Sequence, residues 1–158
     1  MLSLRVNYYT QGRTRGVDTL DGVDAHSLLV ELSGGSVGTL DVQRVSAPFA
    51  AALSSGSRLS GQLACGDIAL SLSGGSRVEF SGSGQSLVLD GSGGSRYELK
   101  NLAVKHVTSD LSGDSLATVT LDGGLIANLS GGSQITYFGS ATLGAVHASG
   151  GSSVRKGL

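Results

Sequence analysis

Leu72-Ser73-Gly74-Gly75-Ser76-Arg77-Val78-Glu79-Phe80 holds the repeating unit of this chain: an apolar residue, a Ser-Gly-Gly-Ser tetrad, then polar and apolar residues in alternation. The Ser-x-x-Ser tetrad returns at Ser33, Ser54, Ser73, Ser92, Ser112, Ser130 and Ser149, in steps of 21, 19, 19, 20, 18 and 19 residues. So regular a period marks a one-dimensional stack in which each repeat buries its apolar face against the next.

Aligned on the first Ser, the preceding residues fall into columns. Directly before it stand Leu32, Leu53, Leu72, Gly91, Leu111, Leu129 and Ala148. Two residues earlier come Val30, Ala51, Leu70, Leu89, Ser109, Ala127 and Val146, and two earlier again Leu28, Phe49, Ile68, Leu87, Val107, Leu125 and Gly144. This period of two is a strand with one buried face. After the tetrad a second inward column runs Leu59, Val78, Tyr97, Ala117, Ile135 and Val154, with Leu40, Phe80, Leu99, Val119 and Tyr137 two residues on. Variable stretches such as Ser81-Gly82-Ser83-Gly84-Gln85 and Asp122-Gly123-Gly124 leave room for one more short strand per coil.

Apolar spacing near 3.6 is nowhere sustained, and glycine recurs too often for helix interiors. A hairpin meander would join antiparallel neighbours through I′ or II′ turns, whereas side-chain types returning every ~19 residues predict parallel, in-register stacking. The expected fold is therefore all-β: a parallel β-helix of about seven short, three-sided coils of ~19 residues. It is right-handed by the general rule for parallel strand connections. One domain is expected over residues 1–158, with an N-terminal strand and degenerate first coil at 1–32 and regular coils over 33–158.

Composition agrees with a packed β architecture. The 158 residues include 26 Gly, one Pro and no Trp, and 15% are charged. Regularly spaced Leu, Val and Ile argue against disorder. A formal net charge of −1 gives no electrostatic footprint for nucleic acid. No apolar run approaches the ~18 residues of a membrane span. Met1 to Gly16 carries Arg5, Arg13 and Arg15 with no apolar segment between them, so no signal peptide is read there and a trimmed precursor is expected. Cys65 is the single cysteine, which excludes an internal disulfide. No His or Asp column accompanies it, so it reads as a small structural residue rather than a nucleophile.

Seven equivalent tetrads with no base column make the serines architectural: their hydroxyls satisfy turn groups or each other, and the central glycines supply positive φ. The Gly-rich runs lack the Lys-Ser/Thr ending of a phosphate loop. Calcium rolls need an Asp in every repeat, and only Asp114 enters a tetrad. Asn128-Leu129-Ser130 matches a glycosylation sequon at the entrance of a tight turn.

One ordered charge cluster stands out. Arg58, Arg77 and Arg96 occupy the fifth repeat position in successive coils, outward by parity, with Glu79 and Glu98 at the seventh. Stacked guanidinium groups repel, and the adjacent Glu ladder offsets this across the strands. The plain reading is a solvated, gatekeeping face; the functional one is a recognition surface for an acidic glycan or peptide. A second polar column, Glu31, Asp90, Asp110, Asn128 and His147, supplies one residue per coil, a line rather than a metal shell, so no metal or cofactor is expected. His26, His106 and His147 fall in different columns.

The Leu-Ser-Gly-Gly-Ser repeat, the Ala148-to-Lys156 ending and the early Leu2-Ser3-Leu4-Arg5-Val6 strand resemble the putative autotransporter adhesin head domain family. That resemblance covers nearly the whole chain and implies a β-helical, exported or envelope protein of bacteria with no known catalytic residues. Family members usually carry further N-terminal strands before the segment resembling Met1 to Thr10, so the resemblance implies the expectation of a fragment or a short member.

The expected function is a noncatalytic structural or adhesive module of the cell envelope or extracellular space, presenting a flat sheet face to a glycan, a protein or another copy. The alternative is a glycan-active β-helix enzyme, which needs long loops and paired acids that coils of 18 to 21 residues cannot spare. An ice-binding prism, suggested by Thr118, Thr120 and Thr136, would need many more Thr in register. Unpaired strand edges at the prism ends lead us to expect homo-oligomers or end-to-end assembly.

Overall fold

The structure, a computed structural model, describes residues 4–8, 15–21, 28–45 and 48–158, with side chains for 28–41 and 48–158. Leu2, Ser3, Arg13 and His26 lie outside the described residues. The odd-numbered strands are β1 (Leu4–Tyr8), β3 (Leu28–Leu32), β5 (Phe49–Leu53), β7 (Asp67–Leu72), β9 (Ser86–Gly91), β11 (His106–Leu111), β13 (Gly124–Leu129) and β15 (Thr142–Ala148). The even-numbered strands are β2 (Arg15–Asp21), β4 (Val37–Val45), β6 (Arg58–Cys65), β8 (Arg77–Ser83), β10 (Arg96–Val104), β12 (Leu116–Leu121), β14 (Gln134–Phe138) and β16 (Ser153–Lys156). The odd strands make one eight-stranded sheet and the even strands another, each in sequential order. Every pairing is parallel, for example Phe49 with Ile68, Ile68 with Leu87 and Leu87 with Val107. This is an all-β parallel solenoid, and the seven tetrads bound six full turns of 18 to 21 residues.

The third side of each coil is part of the even strand and not a separate sheet. In β10, Lys100 and Asn101 are both exposed, which resets the alternation so that Leu102 and Val104 again point inward. The register shifts at this point, and again between Val42 and Val45 in β4. These two strands belong to the 20- and 21-residue coils, so the extra residues are taken up as bulges that bend the strand. Ser81–Ser83, expected in a third strand, complete β8.

At the tetrad corners both central residues have positive φ, 60° and 74° at Gly74 and Gly75, the pattern of a type I′ turn. A turn usually found in antiparallel hairpins here links two different parallel sheets. In the tetrads beginning at Ser33, Ser54, Ser73, Ser92 and Ser112 the second Ser is buried and donates its hydroxyl to the first Ser's carbonyl, at 2.7 Å from Ser76 to Ser73 and 2.8 Å from Ser115 to Ser112, while the buried Ser133 hydroxyl accepts from the Ser115 amide. The buried hydroxyl thus satisfies a carbonyl where the regular ladder lapses. Ser55 and Asp114 adopt the same left-handed conformation without being glycine.

Between the sheets lies one continuous apolar core in which Leu72, Leu89, Leu111 and Leu129 are all buried. Phe49 and Phe80 meet edge to face, with centroids 5.8 Å apart. The columns are not uniform, and their irregularities compensate one another. A Cβ on Gly91 would sit 2.8 Å from Leu111 and 2.8 Å from the Tyr97 hydroxyl, so the missing Leu of one column makes room for the large ring in the other. The Tyr97 hydroxyl donates to the Asp90 carbonyl, pairing its polar atom. One expected position shifts: Leu125 stacks on Leu143 and not on Gly144, because β15 bulges before Val146 restores the pairing with Ala127.

Two substitutions probe this frame. Leu111→Ala, at a fully buried core position, should cost about 2–5 kcal/mol in a denaturant melt, leaving a cavity that a laced sheet cannot collapse. Gly131→Ala should destabilise as well, because φ there is 62° and the new Cβ would lie 2.9 Å from the Gly113 nitrogen. A melting temperature unchanged by Gly131→Ala would show that the corner tolerates a side chain.

Candidate functional site

The second Ser of each tetrad is turned inward, so the residue after it faces solvent. This parity brings Arg58, Arg77 and Arg96 into one directly paired column on β6, β8 and β10. Glu79 and Glu98 pair in the same way two residues on. Arg77 is the hub: its guanidinium lies 2.5 Å from Glu98 and 3.7 Å from Glu79. Arg58 and Arg96, both exposed, make no ion pair among the described residues. The sequence-expected cluster is thus a contiguous patch whose middle cation is neutralised and whose outer two are available. Its Arg77 pairs are half-exposed and contribute little stability, because water screens them.

The basic face extends further than the sequence pattern suggests. Lys100 stands 4.6 Å over the Phe138 ring, reaching across the rung that holds Thr120, whose hydroxyl donates to the Lys100 carbonyl at 2.6 Å. Phe138 lies two coils from Lys100, so only the solved register relates them. Thr118 and Thr136 are directly paired, while Thr120 pairs with Phe138 in another column.

On the other sheet, Asp90, Asp110, Asn128 and His147 form the anticipated line, each directly paired with the next. Asp110, Asn128 and His147 border an open depression of about 580 Å³ along the tetrad corner, shared with Ser130 and Ser149. A smaller one of about 260 Å³, lined by Glu31, Ser33, Ser54 and Ser71 among others, lies on the same corner. Among the described residues no group of three or more His, Cys, Asp or Glu is placed to hold a metal ion. His106 stands apart in another column and accepts from the Gly124 amide at 3.3 Å, which requires its Nδ1 to be unprotonated.

Cys65 closes β6, packed against the core. Burial, with the Asp67 carboxylate adding to it, pushes its thiol up from 9.0 to about 11. A thiol held protonated is a weak nucleophile, in keeping with a structural role. Among the described residues no helix is long and apolar enough to cross a membrane.

The model of the family described as putative auto-transporter adhesin, head GIN domain, matches residues 22–141. The chain belongs to this family. The match spans six of the seven tetrads and the whole Arg/Glu patch, and does not extend to the early segment at 2–6 or the ending at 148–156. Membership points to an adhesin-type, noncatalytic envelope module and names no ligand. No curated protein and no solved structure was matched.

The buried titratable groups predict an alkaline loss of stability. Below pH 9 both folded and unfolded chains keep the Cys65 proton; between 9 and 11 only the folded chain does, so stability falls as pH rises through that window. Burial, partly opposed by a backbone hydrogen bond at Leu72 and helped by the Asp90 carboxylate, also raises the Tyr97 phenol above its ordinary 10.0, extending the fall to higher pH. Melts at about pH 8 and about pH 10.5 should differ clearly in the parent protein and less in the Cys65→Ala/Tyr97→Phe variant. Equal drops in both proteins would assign the alkaline loss to other groups.

Proposed function

We propose that this chain is a noncatalytic adhesive or structural module of the bacterial cell envelope, acting as a single β-helix domain over residues 1–158. Its recognition surface is the outer face of the even-strand sheet, centred on Arg58, Arg77 and Arg96, with Glu79 and Glu98 fixing the middle guanidinium. The ligand is polyanionic: an acidic glycan or an acidic protein surface.

The observation that carries this reading is the in-register Arg column with only its middle member ion-paired. The strands that carry these side chains are ~4.8 Å apart, so the sheet fixes the spacing of the three Arg stems along the axis. A chain of carboxylates or sulfates laid along the axis would meet available guanidinium groups on the outer two of three successive coils, Arg58 and Arg96. Arg suits this task because its planar fork binds oxyanions through two parallel hydrogen bonds. Family membership supports the adhesin-type part of the reading and a place in the envelope or outside the cell. Short coils support a binding face over an enzyme's walled cleft, since the turns stay at 18 to 21 residues.

Binding to immobilised polygalacturonate and polyglutamate tests the proposal. The Arg58→Ala/Arg77→Ala/Arg96→Ala variant should lose binding at least tenfold while its melting temperature stays within about 5 °C of the parent, as expected for exposed charges. Undiminished binding by the triple variant would leave the ladder as a solvated face.

A further inference from the structure

The two sheets carry opposite charge. Across its eight strands the odd sheet contains four acids, Glu31, Asp67, Asp90 and Asp110, against one basic residue, Arg5. Across its eight strands the even sheet contains eight Lys or Arg against five acids. In a chain of net charge −1 this segregation leaves one broad face acidic and the other basic.

Each face also carries apolar surface beside its charges. On the odd sheet Ala50, Ala69 and Val88 stack directly, with Ile126 further along the same column, and Val88 and Ile126 are 47% and 44% exposed. On the even sheet the Arg column is bounded in register by Val37 and Leu116, 44% and 37% exposed.

The geometry points to a second copy of this chain as the occupant of the acidic face, with the odd-strand sheet of one copy lying over the Arg ladder of the next. The inference rests on the ladder being a polyanion-binding surface and identifies the polyanion as the protein's own opposite side. Both faces are ruled by the same rung spacing of ~4.8 Å, so with prism axes aligned the stacked Asp90 and Asp110 can lie over two adjacent rungs of the Arg column, with Asp67 at the opposite end of the next odd strand. Two acidic faces, or two basic ones, would repel, so the contact pairs different patches and repeats from copy to copy without closing on itself. Eight rungs by five or six residues give a face of about 34 by 18 Å, or roughly 600 Å² per partner. That is the low end for specific interfaces, so the association is weak, and its attraction is screened by salt.

Sedimentation velocity on the full chain in about 20 mM and about 0.5 M salt tests this, using two variants that each disable one face. One is Asp67→Asn/Asp90→Asn/Asp110→Asn; the other is Arg58→Ala/Arg77→Ala/Arg96→Ala. The parent should self-associate at low salt and at least tenfold more weakly at high salt, while each variant alone stays monomeric. An equimolar mixture of the two variants should give a dimer and nothing larger, because their intact faces complement one another once and leave only disabled faces outside. A monomeric parent at low salt, an Asp variant that assembles like the parent, a mixture that stays monomeric, or assembly that survives high salt would each overturn the inference. Survival at high salt would indicate contact through the strand edges at the prism ends. Polygalacturonate binding separates the two proposals: a parent that binds it yet stays monomeric keeps the ligand reading and loses this one. A parent that assembles but does not bind it loses the polysaccharide as ligand and keeps the face-to-face contact.

Discussion

Parallel, in-register hydrogen bonding between a strand and its counterpart one turn away is the constraint on which everything else in this chain depends. It places every side chain directly over a residue of the same repeat position, so a residue type is admissible only if it tolerates its own kind at ~4.8 Å. Leucine does, and the inward columns are mostly Leu, Val and Ile. A buried hydroxyl does when its hydrogen bond is made within its own turn, as the second serine of the tetrad does. Glycine at positive φ does because consecutive corners can then approach without a Cβ between them.

Where a column breaks this rule, a neighbouring column compensates. Gly91 leaves the Leu column empty beside Tyr97, which fills the space and places its hydroxyl on a backbone carbonyl. On the surface the same logic governs charge. Three stacked guanidinium groups are held together by Glu98 and Glu79 gripping the middle one, and the outer two remain available to solvent. A structural demand for charge balance and a functional capacity to bind anions are met by the same five residues.

The tetrad spacing and the alternation around it were enough to read the parallel stack, the inward columns and the outward Arg and Glu positions, since parity along a strand translates directly into faces. The bends were not legible. Lys100 and Asn101 both point outward because a bulge resets the alternation, and the sequence shows there only two polar residues in a row. The same limit applies at Gly144, where alignment on the tetrad favours the glycine and the bulged backbone pairs Leu143 instead. The contact of Lys100 with Phe138 joins coils two turns apart and follows from three-dimensional register alone. The acidic character of the odd sheet was present in the sequence throughout, but it becomes visible only when strands are sorted by sheet and not by order.

Because differences in coil length are absorbed by bulges inside the strands, β4 and β10 of the even sheet and β15 of the odd one, the tetrad corners stay alike from coil to coil. A coil of this kind is a cassette. Duplicating or deleting one between two tetrads would join a corner to a corner of the same form, leaving the neighbouring rungs in place while changing the height of the prism. Where the coil gained or lost is one of the three that carry Arg, the number of guanidinium groups on the exposed face would change in step, and with it the valency toward an extended anionic chain, which acts on avidity far more steeply than on any single contact. A lineage carrying this fold could therefore adjust how firmly it holds its ligand by counting coils, with no change to the chemistry of any one of them.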